Sequence, residues 1–444
     1  MSDAVVETEG GFVANYPPFG VWSDANVDVA LAALDRPPAP GVPLGLYVHV
    51  PFCRKRCKFC YFKVYTETPS AEIRAYVEGV TAEAKMMGSK ACIGGRQLDY
   101  VYVGGGTPSF LSSDQIRELF GAIRGSFNVA PNAEITFECE PGTVRAPKIE
   151  ALRDLGVTRV SLGVESWDER VLEINGRAHE AKHIEPAYAL CRELGIPQVN
   201  IDLVAGLVAE SEETWAYAIE KTIELSPDSV TIYQMEIPRN SAVWRAMHGQ
   251  GDLGGTIVDI PTRRRWAREA FEALMAAGYS MTSGYTAVKG DPKDRFIYRD
   301  RLWHGADMIP LGVSSFGQVS GVHMQNDKSL QSYLETIGRG ELALQRAYAM
   351  SPDEQLIREL ILQVKLGEVS LSYFQNKFGV DLRVRFGSVL AELARRDMLR
   401  VESDRVVLTW DGLLRVDHWL ADFFLPEHGG RVGPGGAIGE RPTL

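Results

Sequence analysis

The chain has 444 residues, 45% of them hydrophobic and 24% charged, which excludes wholesale disorder, collagen-like repeats and miniature scaffolds. Its formal net charge of −11 lacks the basic footprint of nucleic-acid binding, so no nucleic-acid partner is expected. No apolar run reaches the ~18–20 residues of a bilayer span, so no integral membrane segment is expected. The acidic stretch from Met1 to Gly11 lacks a signal-peptide pattern, and six cysteines are too few for a disulfide scaffold; the expected location is cytoplasmic. At ~150 residues per domain the length suggests about three units.

Residues 1–45 hold Tyr16-Pro17-Pro18-Phe19-Gly20 and a Pro-rich stretch, which predicts an irregular N-terminal arm with one short helix near 26–34. Six short apolar or β-branched runs follow, at 46–50, 100–103, 134–138, 159–164, 198–203 and 229–234. Helical patterns near 71–87, 114–124, 147–155, 181–194 and 212–225 lie between them, with another at 262–277. Such alternation implies βαβ units and a parallel sheet. Six strands fall short of a closed eight-stranded barrel, so the expected fold is α/β, an open partial (β/α)6 barrel with its site at the C-terminal strand ends. The barrel unit is taken as 46–350, with 280–350 adding an edge strand and closing loops. Residues 351–425 predict helices near 352–366, 371–378 and 385–396 and a hairpin at 399–408. This resembles a winged-helix module, and its mixed charge points to docking or a lid rather than to DNA. Residues 426–444, rich in glycine, predict a disordered tail.

Cys53, Cys57 and Cys60 fall in a loop just after the first strand, spaced Cys-x3-Cys-x2-Cys. Zinc normally recruits four ligands, often as separated pairs, whereas three thiolates on a [4Fe–4S] cube leave one iron open to a substrate or cofactor. The bland alternatives are a chance grouping or a zinc knuckle completed by His49. Cys92, Cys139 and Cys191 are isolated and read as small buried hydrophobes.

The spacing, with the aromatic Phe59 before the last cysteine, resembles the signature of the radical S-adenosylmethionine (SAM) superfamily. Tyr47-x-His49-x-Pro51-Phe52-Cys53, Gly104-Gly105-Gly106-Thr107-Pro108-Ser109, Glu138-Cys139-Glu140-Pro141-Gly142 and Asn200-Ile201-Asp202-Leu203 are similar to motifs of its oxygen-independent coproporphyrinogen III oxidase family. The resemblance spans about residues 12–425 and keeps the family's motif order. It implies a [4Fe–4S] cluster on Cys53, Cys57 and Cys60, with the amino and carboxylate groups of SAM on the open iron. It also implies reductive cleavage of SAM to a hydrogen-abstracting radical, hence a small-molecule substrate and a reductant such as flavodoxin or ferredoxin.

Residue by residue, the resemblance implies that Gly105, Gly106 and Thr107 meet the methionine end of SAM and a neighbouring cofactor. Glu138 would accept from ribose hydroxyls or the ammonium, Arg177 would bind a carboxylate, and Asp202 would hold ribose. Tyr47, Phe59 and Phe316 would wall the adenosine. Glu165 stands where the family usually has glutamine, which changes one hydrogen-bond pattern at a second cofactor. Each has a plainer reading: a tight turn for the glycines, packing for the aromatics, salt bridges for the charged groups. For Glu138 and Glu140 the plainer reading is a solvated strand-end acid or a salt bridge with Arg159, and it is preferred for Glu140; His49 is read as a packed histidine.

Three activities remain open on the sequence. The reading taken first is C-methylation of an unsaturated or aromatic small molecule using two SAM molecules. Oxidative decarboxylation of coproporphyrinogen III is the alternative, and a haem chaperone the third. Relatives that catalyse carry an arm like 12–20, which disfavours the chaperone; the decarboxylase branch places a further cysteine where this chain has Phe62.

Overall fold

The computed structural model describes residues 12–238, 241–290 and 296–429. The leader expectation for residues 1–11 and most of the expected tail lie outside them. Strands β1 (Leu44–Val50), β2 (Gln97–Gly105), β3 (Asn128–Cys139), β4 (Arg159–Glu165), β5 (Gln198–Ala205) and β6 (Ser229–Gln234) pair in parallel in that order. After α1 (Val27–Leu34) in the arm, helices α2 (Ser70–Gly88), α3 (Ser113–Ser126), α4 (Ala146–Asp154), α5 (Glu169–Ile174), α6 (Ile184–Glu193) and α7 (Glu212–Leu225) occupy the crossovers. Helices α8 (Ala242–Met247) and α9 (Ile260–Ala276) follow β6. Ser112 and Ser211 close α3 and α7 with capping boxes, which satisfy amides that the helix itself cannot.

Strand alternation divides the sheet into two faces. Val101, Val103, Phe137, Val160, Leu162, Ile201, Leu203, Val230 and Ile232 enter the main apolar core shared with the helices. The intervening residues Tyr100, Tyr102, Glu138, Ser161, Asn200, Asp202, Thr231 and Tyr233 occupy the other face. The barrel interior is therefore polar and aromatic.

The region 280–350 corrects the expectation of one edge strand with loops. It yields β8 (Thr286–Lys289), β9 (Asp307–Leu311), β10 (Phe316–Val319), β11 (Val322–Asn326) and β12 (Leu344–Ala349), preceded by β7 (Tyr279–Met281). The result is one twelve-stranded sheet in the order β12-β11-β10-β9-β1-β2-β3-β4-β5-β6-β8-β7. β9 runs parallel beside β1, while β8 is antiparallel to β6, so both flanks are extended. Buried polar residues such as His323, Gln325 and Asn326 break the apolar pattern that would have revealed these strands. The stretch expected as one helix at 181–194 starts as a short 3-10 turn and continues as α6, and α5 precedes it.

Helix α10 (Ile297–Trp303) places Tyr298 in the barrel, and α11 (Leu330–Gly338) packs on α2. Beyond α12 (Pro352–Gln363), strand β13 (Glu368–Ser370), α13 (Leu371–Phe378), α14 (Leu382–Arg385), α15 (Gly387–Arg395) and the hairpin β14 (Leu399–Val401)–β15 (Arg405–Leu408) form the winged-helix-like arrangement, with sheet order β13-β15-β14. These elements enclose a second apolar core that includes Leu360, Phe374, Leu390 and Trp419. Tyr16 of the arm is fully buried in it and accepts from the Leu425 amide at 3.1 Å. Residues 426–429, expected to be tail, instead carry a turn whose His428 Nε2 lies 2.6 Å from Glu354 Oε1. Among the described residues no helix is long and apolar enough to cross a membrane.

Candidate active site

The cysteine loop leaves the C-terminal end of β1 and is held from several sides. Cys53 N donates to Tyr65 O at 3.0 Å, Lys58 N to Asn175 O at 2.9 Å, and Val243 N to Lys58 O at 3.1 Å. The glycine loop after β2 lies against it, since Gly106 N donates to Val50 O at 2.7 Å and Thr107 N to Phe52 O at 2.8 Å. Gly105 has φ +115°, and a Cβ there would fall 2.6 Å from the His49 ring; one on Gly106 would reach 3.0 Å from Cys53 Sγ. Backbone must come that close, so glycine is required.

Cys53, Cys57 and Cys60 are half-buried and free, whereas Cys92, Cys139 and Cys191 are buried as expected. Burial pushes the Cys53 thiol up to about 11 and Cys60 to about 12, so loading iron must displace protons there. Thr107 Oγ1 lies 3.4 Å from Cys53 Sγ, and Arg177 Nη1 lies 3.1 Å from Cys57 Sγ. Among the described residues no three His, Cys, Asp or Glu side chains close on a single ion. His49, 3% exposed, keeps its Nδ1 2.9 Å from the Tyr47 hydroxyl, the packed role expected of it; burial lowers its pKa to about 4.

Arg177 reaches further than the sequence indicates. Its Nη2 donates to Gly163 O at 2.6 Å and stands 3.6 Å from Glu165 Oε1, so one guanidinium links a cluster cysteine to the end of β4. Glu165 itself has φ +66°, a left-handed conformation uncommon outside glycine, at a register shift in β4. Glu138 accepts from the Tyr102 hydroxyl at 2.6 Å and from Gly105 N at 3.0 Å, not from Arg159. Burial raises Glu138 and Glu165 each to about 7. Asp202, also raised by burial, accepts from Ser161 Oγ at 2.7 Å and Asn200 Nδ2 at 2.9 Å. Glu140 contrasts with them: burial works upward, but His179, Arg54 and Arg177 outweigh it and bring the carboxyl down to about 2. Its partner Arg54, beside Cys53, donates at 3.0 Å, so Glu140 is buried and bridged to Arg54 where a solvated acid or a bridge to Arg159 was expected.

Aromatic rings complete the interior. Tyr47 stacks near Phe316 at 5.8 Å between centroids and Tyr102 at 6.1 Å, and Tyr102 packs on Tyr298 at 4.4 Å. Phe59 joins the apolar patch of Val171, Val204, Leu207 and Val208 beside the cysteine loop. Tyr61 and Tyr233 are 37% and 42% exposed, yet burial raises both hydroxyls, with Glu138 among the charges each one feels. Surface that is exposed but surrounded by protein lines a cavity, so these rings face the concave interior. Tyr61, Tyr102, Tyr233 and Tyr298 escaped a motif-based reading. For Tyr102 the signal was present, two positions before Gly104 on the same face of β2.

Residues 47–221 match the radical SAM superfamily and residues 350–415 the HemN C-terminal domain. The chain is 25% identical over 400 residues to the oxygen-independent coproporphyrinogen III oxidase of Escherichia coli (strain K12), covering 85% of this chain and 84% of that one. It is 28% identical over 385 residues to the heme chaperone HemW of Mycobacterium tuberculosis (strain ATCC 25618 / H37Rv), covering 86% and 94%. The solved structure of the Escherichia coli coproporphyrinogen III oxidase, HemN, superposes with a TM-score of 0.80 at 24% identity, over 93% of this chain and 96% of that one. These relatives favour the two tetrapyrrole alternatives over the methyl transfer expected first from the sequence. The chain thus carries a radical SAM domain followed by a HemN C-terminal domain, and along most of its length its relatives are HemN-like.

Proposed function

We propose that this chain is a radical SAM enzyme acting on a tetrapyrrole, of the coproporphyrinogen III oxidase type. The observation that carries the reading is the aromatic interior, where Tyr47, Tyr102, Tyr298 and Phe316 pack in sequence around Glu138, with Tyr61 and Tyr233 at its open side. Each pyrrole of a porphyrinogen is a flat ring, although methylene bridges separate the four, and such rings pack well on aromatic walls. The similarity to oxidases and haem chaperones along most of the chain agrees with it.

Cys53, Cys57 and Cys60 would hold the cluster, and the close approach at Gly105 and Gly106 leaves backbone free to meet SAM. Thr107, Glu138, Glu165, Arg177 and Asp202 are assigned to its polar groups, and Tyr47, Phe59 and Phe316 to its adenosine. When bound, the pair supplies hydrogen-atom abstraction from carbon. The chain's own residues set the conditions. Arg177 places positive charge against Cys57, Tyr102 and the Gly105 amide fix the Glu138 carboxylate, and the aromatic walls exclude water. The outcome for an oxidase is conversion of a propionate to a vinyl group: one hydrogen atom is abstracted, the carboxylate leaves as carbon dioxide, and the remaining electron passes to a one-electron acceptor that the assay must supply.

The haem-chaperone reading is favoured by one feature. Phe62 stands where the decarboxylase branch carries a further cysteine, and its ring packs on Tyr61 at 4.5 Å and near His49 at 6.2 Å. The test is anaerobic reconstitution with iron and sulfide, followed by coproporphyrinogen III, SAM, a reductant and a one-electron acceptor, with products read by mass spectrometry. The oxidase reading expects carbon dioxide and vinyl products, lost when Cys53, Cys57 or Cys60 is replaced by Ala and kept in Cys92→Ala. Tight haem binding with no product from any porphyrinogen would replace it with the chaperone reading.

A further inference from the structure

Arg358 lies on α12 in the C-terminal region, 3% exposed. Its Nε donates to Asn15 Oδ1 of the arm at 2.9 Å, and among the described residues neither terminal nitrogen has a hydrogen-bond partner. Those two nitrogens keep the little open space that remains around the residue. Among the described residues no carboxylate makes a salt bridge with it. The adjacent Glu359 is taken by Lys377 at 2.7 Å and by the Tyr373 hydroxyl at 2.6 Å. Two helical turns on, the equally buried Lys365 does have its counter-ion, Asp417, at 2.8 Å. A buried guanidinium without an anion is costly to keep, and burial accordingly lowers its pKa to about 10.

The surroundings of Arg358 belong to the barrel interior. Tyr100 and Tyr298 are the phenols that feel its charge, and the Tyr100 hydroxyl is buried without a partner. Tyr298 packs on Tyr102, which bonds Glu138. Through Tyr298 that phenol pair reaches the candidate cofactor site, and both phenols lie within electrostatic reach of Arg358.

We propose that Arg358 is the receptor for a substrate carboxylate, presented by the C-terminal domain to the barrel interior. A guanidinium fork with both terminal nitrogens free matches a carboxylate in bidentate fashion. That the carboxylate is a propionate at the rim of a tetrapyrrole rests on the function proposed above. Asn15 orients the fork, so the arm and the C-terminal domain set substrate choice jointly, although neither carries a cluster ligand.

The experiment compares coproporphyrin III with its tetramethyl ester by fluorescence titration of the reconstituted protein, in wild type and Arg358→Met. The wild type is expected to prefer the free acid, and the variant to lose about tenfold or more in affinity for the acid while binding the ester unchanged. Equal binding of the acid by both proteins, or equal loss of acid and ester, overturns the assignment. If wild type binds neither porphyrin, the tetrapyrrole reading falls by itself, and thermal unfolding with millimolar glutarate decides Arg358. Stabilisation of wild type but not of Arg358→Met, with the variant at least as stable without ligand, supports a carboxylate receptor. A variant that is less stable and equally responsive to glutarate makes Arg358 a structural tie to the arm and ends the proposal.

Discussion

Glu138 and Glu165 are two acids in one desolvated cavity, each titrating at about 7 in the folded chain. In an unfolded chain a glutamate titrates near ~4.3, so between those values the native state binds more protons than the unfolded one. Stability therefore falls as pH rises through that window and changes no further above it. The expected effect is roughly 3–4 kcal/mol per group across the whole window, read as a falling unfolding midpoint in protein free of iron and SAM. Replacing both with Gln should flatten the fall; a wild-type midpoint constant from about pH 5 to about pH 7 would refute it. At this scale the cysteines and glycines were legible because their chemistry demands fixed spacing along the chain. The pairing of Arg177 with Cys57 was not, because it joins residues 120 positions apart. Arg358 was silent for the same reason: an arginine in an amphipathic helix looks solvated until its surroundings are known.

The elements of the central sheet were readable where strand and helix alternate with little burial of polar groups. They were unreadable in 280–350, where the chain stabilises itself by buried hydrogen bonds. Glu83 of α2 shows how. It is fully buried and accepts from Gly312 N at 2.7 Å, Asn326 Nδ2 at 2.6 Å and the Tyr333 hydroxyl at 2.6 Å. One carboxylate thus ties α2 to the β9–β10 loop, to β11 and to α11, and a lone glutamate in a helix pattern gives no hint of it. Glu83→Leu would leave the Gly312 amide and the Tyr333 hydroxyl unsatisfied in the core, while Asn326 Nδ2 keeps its bond to Gly312 O at 2.9 Å. Each costs about 1–3 kcal/mol, so chemical denaturation should show a loss of roughly 2 kcal/mol or more. Because the loop leads into Phe316, SAM affinity should fall as well in the reconstituted variant. A loss under about 1 kcal/mol would mean that water replaces the carboxylate.

Across the whole molecule, the sequence separates an arm, a barrel and a C-terminal unit in order, yet the arm's contacts lie some four hundred positions away. Val13 N donates to Asp417 Oδ1 at 2.9 Å, while Lys365 Nζ bonds Val13 O at 2.8 Å and lies 4.0 Å from the centre of the Phe12 ring. The Tyr285 hydroxyl, from the barrel, donates to the same aspartate. Lys365 is fully buried and is neutralised at 2.8 Å by Asp417, which is 14% exposed, so the pair joins all three regions at one point. A buried ion pair adds little net stability over well-packed apolar side chains, but removing one partner leaves the other charge stranded. Asp417→Ala is therefore expected to cost about 3–5 kcal/mol, far more than an exposed bridge would. The paired change Lys365→Met with Asp417→Leu should recover most of that loss, to within about 1 kcal/mol of wild type. The two proteins should still share one defect, since both lose the Asp417 bond to Val13 N, and the paired variant loses the Lys365 bond to Val13 O as well. Limited proteolysis should cut the arm near that residue faster in each than in wild type. Equal stability losses in the single and paired variants would show that the hydrogen bonds to the arm, and not the stranded charge, set the cost.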